Sequence, residues 1–155
     1  MKRFFLLLGA VMLTGCLDTT GPTPSNPSTE TFASTLGVNI SNMQKTASGT
    51  YYVDEVVGTG AALSAPQTNT TVNVDYSGYL KSGTLFDSGS NISFQLGGVI
   101  LGFVDGMVGM KTGGTRLIVI PSELGYGNST QNTNLTTIPP NSTLIFRVKL
   151  NGFTG

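Results

Sequence analysis

Asp87, in Phe86-Asp87-Ser88-Gly89, is the first residue of this 155-residue chain whose setting could do chemistry. A carboxylate on a Ser-Gly turn suits hydrolysis by paired aspartates, with Ile100-Leu101-Gly102 as a second motif. That reaction needs two carboxylates sharing one proton, so a domain of this size would have to dimerise to supply them. Asp87 to Asn91 also looks like the start of a calcium loop, but Gly98 stands where the closing Glu is needed. Gly58-x-Gly60 is too short for a dinucleotide-phosphate turn, since Leu63 takes the place of the third glycine. There is no His, and the single Cys is Cys16, which excludes Ser-His-Asp and Cys-His nucleophilic sites and most zinc sites. What remains is aromatic: Tyr76, Phe86, Phe94, Phe103, Tyr126 and Phe146 lie on different segments, each beside a Gly, an Asp or a strand end. Each alone fits a core better than a site.

The elements that must position these residues are mostly strands. The chain is rich in Thr, Ser, Asn and Gly, a mixture that favours strands and turns. Thr70 to Leu80 alternates Val72, Val74 and Tyr76 with Asn73, Asp75 and Ser77, the period of a half-buried strand. Thr50 to Val57, Thr84 to Asp87, Ile92 to Leu96, Arg116 to Pro121 and Ser142 to Leu150 are further strands, with Ser88 to Asn91 as a polar loop. Many short strands with Gly-rich turns predict an antiparallel sheet. Val99 to Met110 differs: Ile100, Phe103, Met107 and Met110 form a helical stripe. Gly102 and Gly106, four apart, predict close approach of that helix to the sheet. Only 10% of residues are charged and the formal charge is zero, so no nucleic-acid footprint exists.

In order along the chain, Val74-Asp75-Tyr76-Ser77-Gly78-Tyr79-Leu80, Gly83-Thr84-Leu85-Phe86-Asp87-Ser88, Phe94-Gln95-Leu96-Gly97, Val99-Ile100, Gly102-Phe103, Leu124-Gly125-Tyr126-Gly127 and Ile138-Pro139-Pro140-Asn141 through Phe146 resemble the FKBP-type peptidyl-prolyl cis/trans isomerases. The resemblance runs from about Gly49 to Leu150. It implies an α+β fold, a strongly twisted antiparallel β-sheet wrapped around one short α-helix, with an apolar cleft between them. Tyr76, Phe86, Val99, Ile100, Phe103, Tyr126, Ile138 and Phe146 would line the cleft, and Asp87 would face the substrate beside Tyr126 and orient it and its neighbours. Phe103 takes the floor position where the best-known members have Trp, and Ile92 a wall position that is often Phe. The loop after Asp87 is short and lacks a common Arg, and Thr137 replaces a common Ile. The implied activity is Xaa-Pro isomerisation without cofactor or metal, on proline-containing polypeptide clients; macrolide inhibitors of the family are implied ligands. The rival reading is a membrane-tethered binding module or chaperone that docks proline-containing segments without useful turnover. Only ten residues separate Gly127 from Ile138, which leaves no room for an inserted chaperone flap.

The N-terminus reads as an address. Lys2 and Arg3 precede a short apolar run to Leu13, followed by Leu13-Thr14-Gly15-Cys16, which resembles a bacterial lipobox. Residues 1–15 are then a lipoprotein signal, 16–31 an acylated Cys and a Pro-, Thr- and Ser-rich tether, and 32–155 the domain. Cys16 would anchor the chain to a membrane through two or three acyl chains, a stable attachment. Removal of the signal leaves six basic residues against eight acidic. With Leu17 rather than Asp after the Cys, the outer membrane, facing the periplasm, is the expected destination. The tether leads straight into the domain without a helical dimerisation arm, so a monomer is expected.

Overall fold

The computed structural model describes residues 23–155. The signal and lipobox readings, Cys16 included, lie outside the described residues. Eight strands and one α-helix follow in order: β1 Gln44–Lys45, β2 Tyr51–Val56, β3 Thr71–Leu80, β4 Leu85–Gln95, α1 Leu101–Met107, β5 Thr115–Ile120, β6 Gln131–Asn132, β7 Thr137–Ile138 and β8 Leu144–Thr154. Six form one sheet in the order β1-β2-β5-β8-β3-β4, with every neighbour antiparallel. β6 and β7 form a separate small hairpin. The α+β expectation of one antiparallel sheet and one short helix holds.

The period-two pattern decides which side chains meet. On β5, Ile118 and Ile120 join the main core with Phe103 and Met107 from α1, while Leu117 and Val119 point the other way. That second face is covered by Phe32, Val38, Ile40 and Met43, so β5 is buried on both sides. The helix comes as close as its glycines allow. A Cβ on Gly102 would stand 2.2 Å from Ile120 Cγ2, and one on Gly106 2.4 Å from Ile118 Cγ2. No larger residue fits at either position without moving the helix.

Two expectations need correcting. The helix is seven residues long rather than twelve, because Val99 and Ile100 are extended and Gly109 adopts φ +79°. Ser88 to Asn91 is not a separate loop but part of the continuous strand β4. Its register against β3 shifts between Val74↔Ile92 and Tyr76↔Gly89, a bulge opposite Asp75. The Asp75 carboxylate accepts from Ser90 Oγ at 3.0 Å and from the Asn91 N–H at 2.7 Å. Asn151 Nδ2, at a second bulge in β8, donates to the same oxygen at 3.2 Å. The side chain thus supplies the pairing that the bulged backbone loses.

Buried Arg116 ties the helix to the sheet. Its guanidinium donates to Asp54 Oδ1 and Oδ2 at 2.7 and 3.0 Å and to the carbonyls of Gly106 and Val108 at 3.0 and 2.8 Å. Those carbonyls lie at the helix C-terminus, where orphaned acceptors and the helix dipole both favour a cation.

The part of the proposed tether that is described lies against the domain. Pro27 is buried in a short turn at Pro27–Thr29, and Lys81 Nζ donates to Glu30 Oε1 at 2.9 Å.

Candidate active site

Between the sheet and α1 lies a cleft of about 290 Å³, walled by Phe86, Phe94, Val99, Phe103 and Phe146, with Tyr76, Asp87, Gly98, Ile100 and Tyr126 completing it. Each residue is there for a local reason. Phe86 and Asp87 are consecutive, so in a regular strand they would face opposite ways. The pairing Gly78↔Asp87 is followed by Tyr79↔Leu85, which leaves Phe86 as an extra, bulged residue. The bulge lets both neighbours reach one cleft. Gly78 makes room for them: a Cβ there would stand 2.7 Å from Phe86 Cζ and 2.8 Å from Phe146 Cε1.

The rings form a connected wall. Phe86 meets Phe146 edge-on at 5.4 Å between centroids, Phe146 meets Phe103 at 5.2 Å, and Phe103 meets Phe94 at 5.7 Å. Tyr76 continues the series with an edge contact to Phe94 at 6.5 Å. Edge-to-face pairs of this kind fix ring orientation as well as burying apolar area. Phe103, on the first turn of α1, is buried at 4% exposure between Phe94 and Phe146.

The polar groups are few and unequally engaged. Tyr76 Oη donates to Asp87 Oδ2 at 2.8 Å, and the Ser88 N–H donates to Asp87 Oδ1 at 2.9 Å. Burial, then the Asp87 hydrogen bond and charge, push the Tyr76 phenol up to about 12. Tyr126 is likewise raised, first by burial and then by the nearby Asp87 charge. Among the described residues, the Tyr126 hydroxyl and the Ile100 backbone N–H have no hydrogen-bond partner, although the Ile100 carbonyl accepts from Phe103 and Val104. Two donors are therefore presented, uncommitted, on an apolar cleft.

Eight of the nine site residues expected from the sequence line the cleft: Tyr76, Phe86, Asp87, Val99, Ile100, Phe103, Tyr126 and Phe146. Ile138 does not. It is 1% exposed and belongs to the core, because its register in the β6–β7 hairpin, opposite Gln131, turns it inward. Asp87 accepts from Tyr76, and Tyr126 stands close enough to feel its charge. Ile92, expected at the wall, is exposed and outside the lining. Phe94 and Gly98 are liners that the sequence reading did not assign. Phe94 carried a signal in its motif Phe94-Gln95-Leu96-Gly97, and Gly98 carried none. No group of three or more Cys, Asp or Glu side chains among the described residues could hold a metal ion.

Comparison with known proteins places this geometry. The chain is 42% identical over 125 residues to the FKBP-type peptidyl-prolyl cis-trans isomerase FkpA of Escherichia coli, covering 78% of this chain and 42% of that protein. It therefore spans less than half the length of that relative. The crystal structure of Escherichia coli FkpA superposes with a TM-score of 0.63 at 38% identity, over 72% of this chain and 51% of that one. A peptidyl-prolyl cis-trans isomerase from Pseudomonas syringae pv. tomato gives 0.64 at 30% identity, over 73% and 81%. The family model for FKBP-type peptidyl-prolyl cis-trans isomerase matches residues 63–151, from the start of the main core to the bulge in β8, and the chain belongs to that family.

Proposed function

We propose that this chain catalyses cis/trans isomerisation of Xaa-Pro bonds in polypeptide clients of the bacterial envelope. The observation that carries the reading is the pair of uncommitted donors, Tyr126 Oη and Ile100 N–H, set on a cleft floored by Phe103. Rotation about an Xaa-Pro bond is slow because it breaks amide resonance, against a barrier of about 18–20 kcal/mol. No bond is made or cut, so the reaction asks for neither nucleophile nor acid–base pair. The twisted amide has lost its C–N double-bond character and is less polar than the planar ground state. A dry aromatic cleft favours it over the planar form, and only that differential accelerates the step.

In this reading the proline ring sits on Phe103, between Phe94 and Phe146. The Ile100 N–H and the Tyr126 hydroxyl donate to substrate carbonyls and hold the chain while the amide turns. Asp87 fixes Tyr76, and through that ring the wall shared with Phe94; it transfers no proton. A rate gain of 10³ to 10⁵ asks for about 4–7 kcal/mol of selective stabilisation. Macrolide inhibitors of the family would compete for the same floor. Ile138 acts behind the wall as core.

The envelope part of the proposal rests on the lipobox-like Leu13-Thr14-Gly15-Cys16, with the acylated chain held as a monomer on the outer membrane facing the periplasm. The test of activity is a protease-coupled or NMR exchange assay on Xaa-Pro peptides with the full chain. A rate above the uncatalysed one, suppressed by a macrolide, is expected; binding of the peptides without acceleration would replace the enzyme with a docking module.

A further inference from the structure

The turn that carries Tyr126 is held from outside the sheet. Ser122, only 1% exposed, opens the short helical turn Ser122–Leu124. Its carbonyl accepts from both the Gly125 N–H at 3.0 Å and the Gly127 N–H at 2.8 Å, so the residues on either side of Tyr126 hang from one oxygen. The Gly127 carbonyl in turn accepts from the Asn141 N–H at 2.7 Å. Nothing in the described protein grips the Tyr126 hydroxyl itself. The phenol is therefore aimed by the packing of its ring on the main core and by the backbone that carries the ring, which hangs from Ser122.

Ser122 is clasped by the segment ahead of the domain. The Ser122 N–H donates to Ser25 Oγ at 2.7 Å, and the Ser25 N–H donates back to Ser122 Oγ at 2.9 Å. This is a reciprocal pair across 97 positions of sequence. The segment is pinned again just beyond, by buried Pro27 and by the Glu30–Lys81 ion pair. We infer that Ser25 is a positioning residue for Tyr126: by closing the reciprocal pair with Ser122 it fixes the turn that aims the phenol into the cleft. The inference rests on Tyr126 as the donor to the substrate carbonyl.

Removing the Ser25 hydroxyl leaves the buried Ser122 N–H without its acceptor, a loss that a buried donor feels fully. The turn then gains freedom at the point from which Gly125 and Gly127 hang. Catalysis is sensitive to such loosening because the donor must meet a transition state rather than a ground state.

The experiment uses the full chain and four variants: Ser25→Ala, Ser25→Thr, Tyr126→Phe and Ser25→Ala with Tyr126→Phe. Ser25→Ala is expected to lower kcat/KM about three- to ten-fold, the range for one hydrogen bond loosened rather than lost at the reacting centre. Ser25→Thr, which keeps the oxygen, should restore it. In the Tyr126→Phe background Ser25→Ala should cost nothing more, since the two act through one hydroxyl. Additive losses in the double variant would overturn the inference, as would an unchanged rate for Ser25→Ala. If the wild-type chain has no isomerase rate, the enzyme reading falls and the positioning claim is decided by ¹³C-labelled Tyr126. Ring resonances broadened or shifted in Ser25→Ala and restored in Ser25→Thr would uphold it; identical spectra would sink it.

Discussion

Tyr76 and Asp87, on adjacent strands, are joined by a 2.8 Å hydrogen bond from phenol to carboxylate, which leaves Tyr126 as the unengaged phenol of the cleft. The two tyrosines should therefore respond differently to loss of the hydroxyl. Tyr126→Phe keeps the ring and the fold, and kcat/KM should fall by a few-fold to about 100-fold, as for a lost hydrogen bond of roughly 1–3 kcal/mol. Tyr76→Phe removes a wall contact, not a substrate contact, so its effect should be milder and should appear mainly in KM. Steady-state assays on both variants decide the matter, and a larger loss for Tyr76→Phe would reverse the assignment.

Phe103 tests the floor. Its ring touches Phe94 and Phe146 edge-on and is nearly fully buried. Phe103→Ala should cost about 3–5 kcal/mol of stability, the usual range for deleting a buried aromatic ring. Phe103→Leu should keep the fold and change the preference among Xaa-Pro peptides. Chemical denaturation and a peptide panel measure the two effects separately. An alanine variant unchanged in both would place the ring outside core and cleft.

The pH profile follows from the phenols. Both are raised, Tyr76 to about 12 and Tyr126 in the same direction, so both remain protonated donors well above neutrality. The isomerase rate should be flat from about pH 6 to 9, because no group assigned to the reaction is required to change charge there. A bell centred between pH 4 and 6, with peptide cleavage, would instead indicate paired carboxylates. Stability has its own alkaline limit. A phenol raised on folding from 10.0 to about 12 contributes stability that is complete below pH 10 and is lost as pH rises through 12. Thermal melts at pH 8 and pH 11 should differ, and less so in Tyr76→Phe.

The proposed membrane attachment has a single-residue test. Cys16→Ala removes the only thiol in the chain and should leave a soluble or uncleaved precursor. Globomycin should likewise accumulate the longer form. A mutant that still partitions with membranes at mature length would show that acylation of Cys16 is not the anchor.

Some of this was readable from residue order and some was not. Val72 and Val74 are buried as their alternation requires, and the spacing of Phe103 and Met107 found the helix. Gly102 and Gly106 announced the close helix–sheet contact. The bulges were not legible. A period of two fails wherever a strand gains a residue, so the shared facing of Phe86 and Asp87 had no local signature. Only the likeness to a family put them together. Ile138 shows the opposite limit: the motif brought it near the cleft, but the register of a two-residue strand turned it into the core. Asp87 accepts from Tyr76, a partner that residue order does not single out, because which of two nearby phenols a carboxylate meets depends on side-chain geometry.

The position of β8 has a consequence for the order in which the molecule can assemble. β8 follows every other strand among the described residues, yet it sits inside the sheet, between β5 and β3. Until Leu144–Thr154 is available, β1-β2-β5 and β3-β4 are two separate pieces with no shared edge. Folding of this sheet cannot proceed strand by strand in chain order; the halves must wait with open edges for a closing strand. Such long-range pairing is intrinsically slow, and it exposes unpaired strands to other chains in the meantime. The sheet is thus vulnerable until β8 arrives.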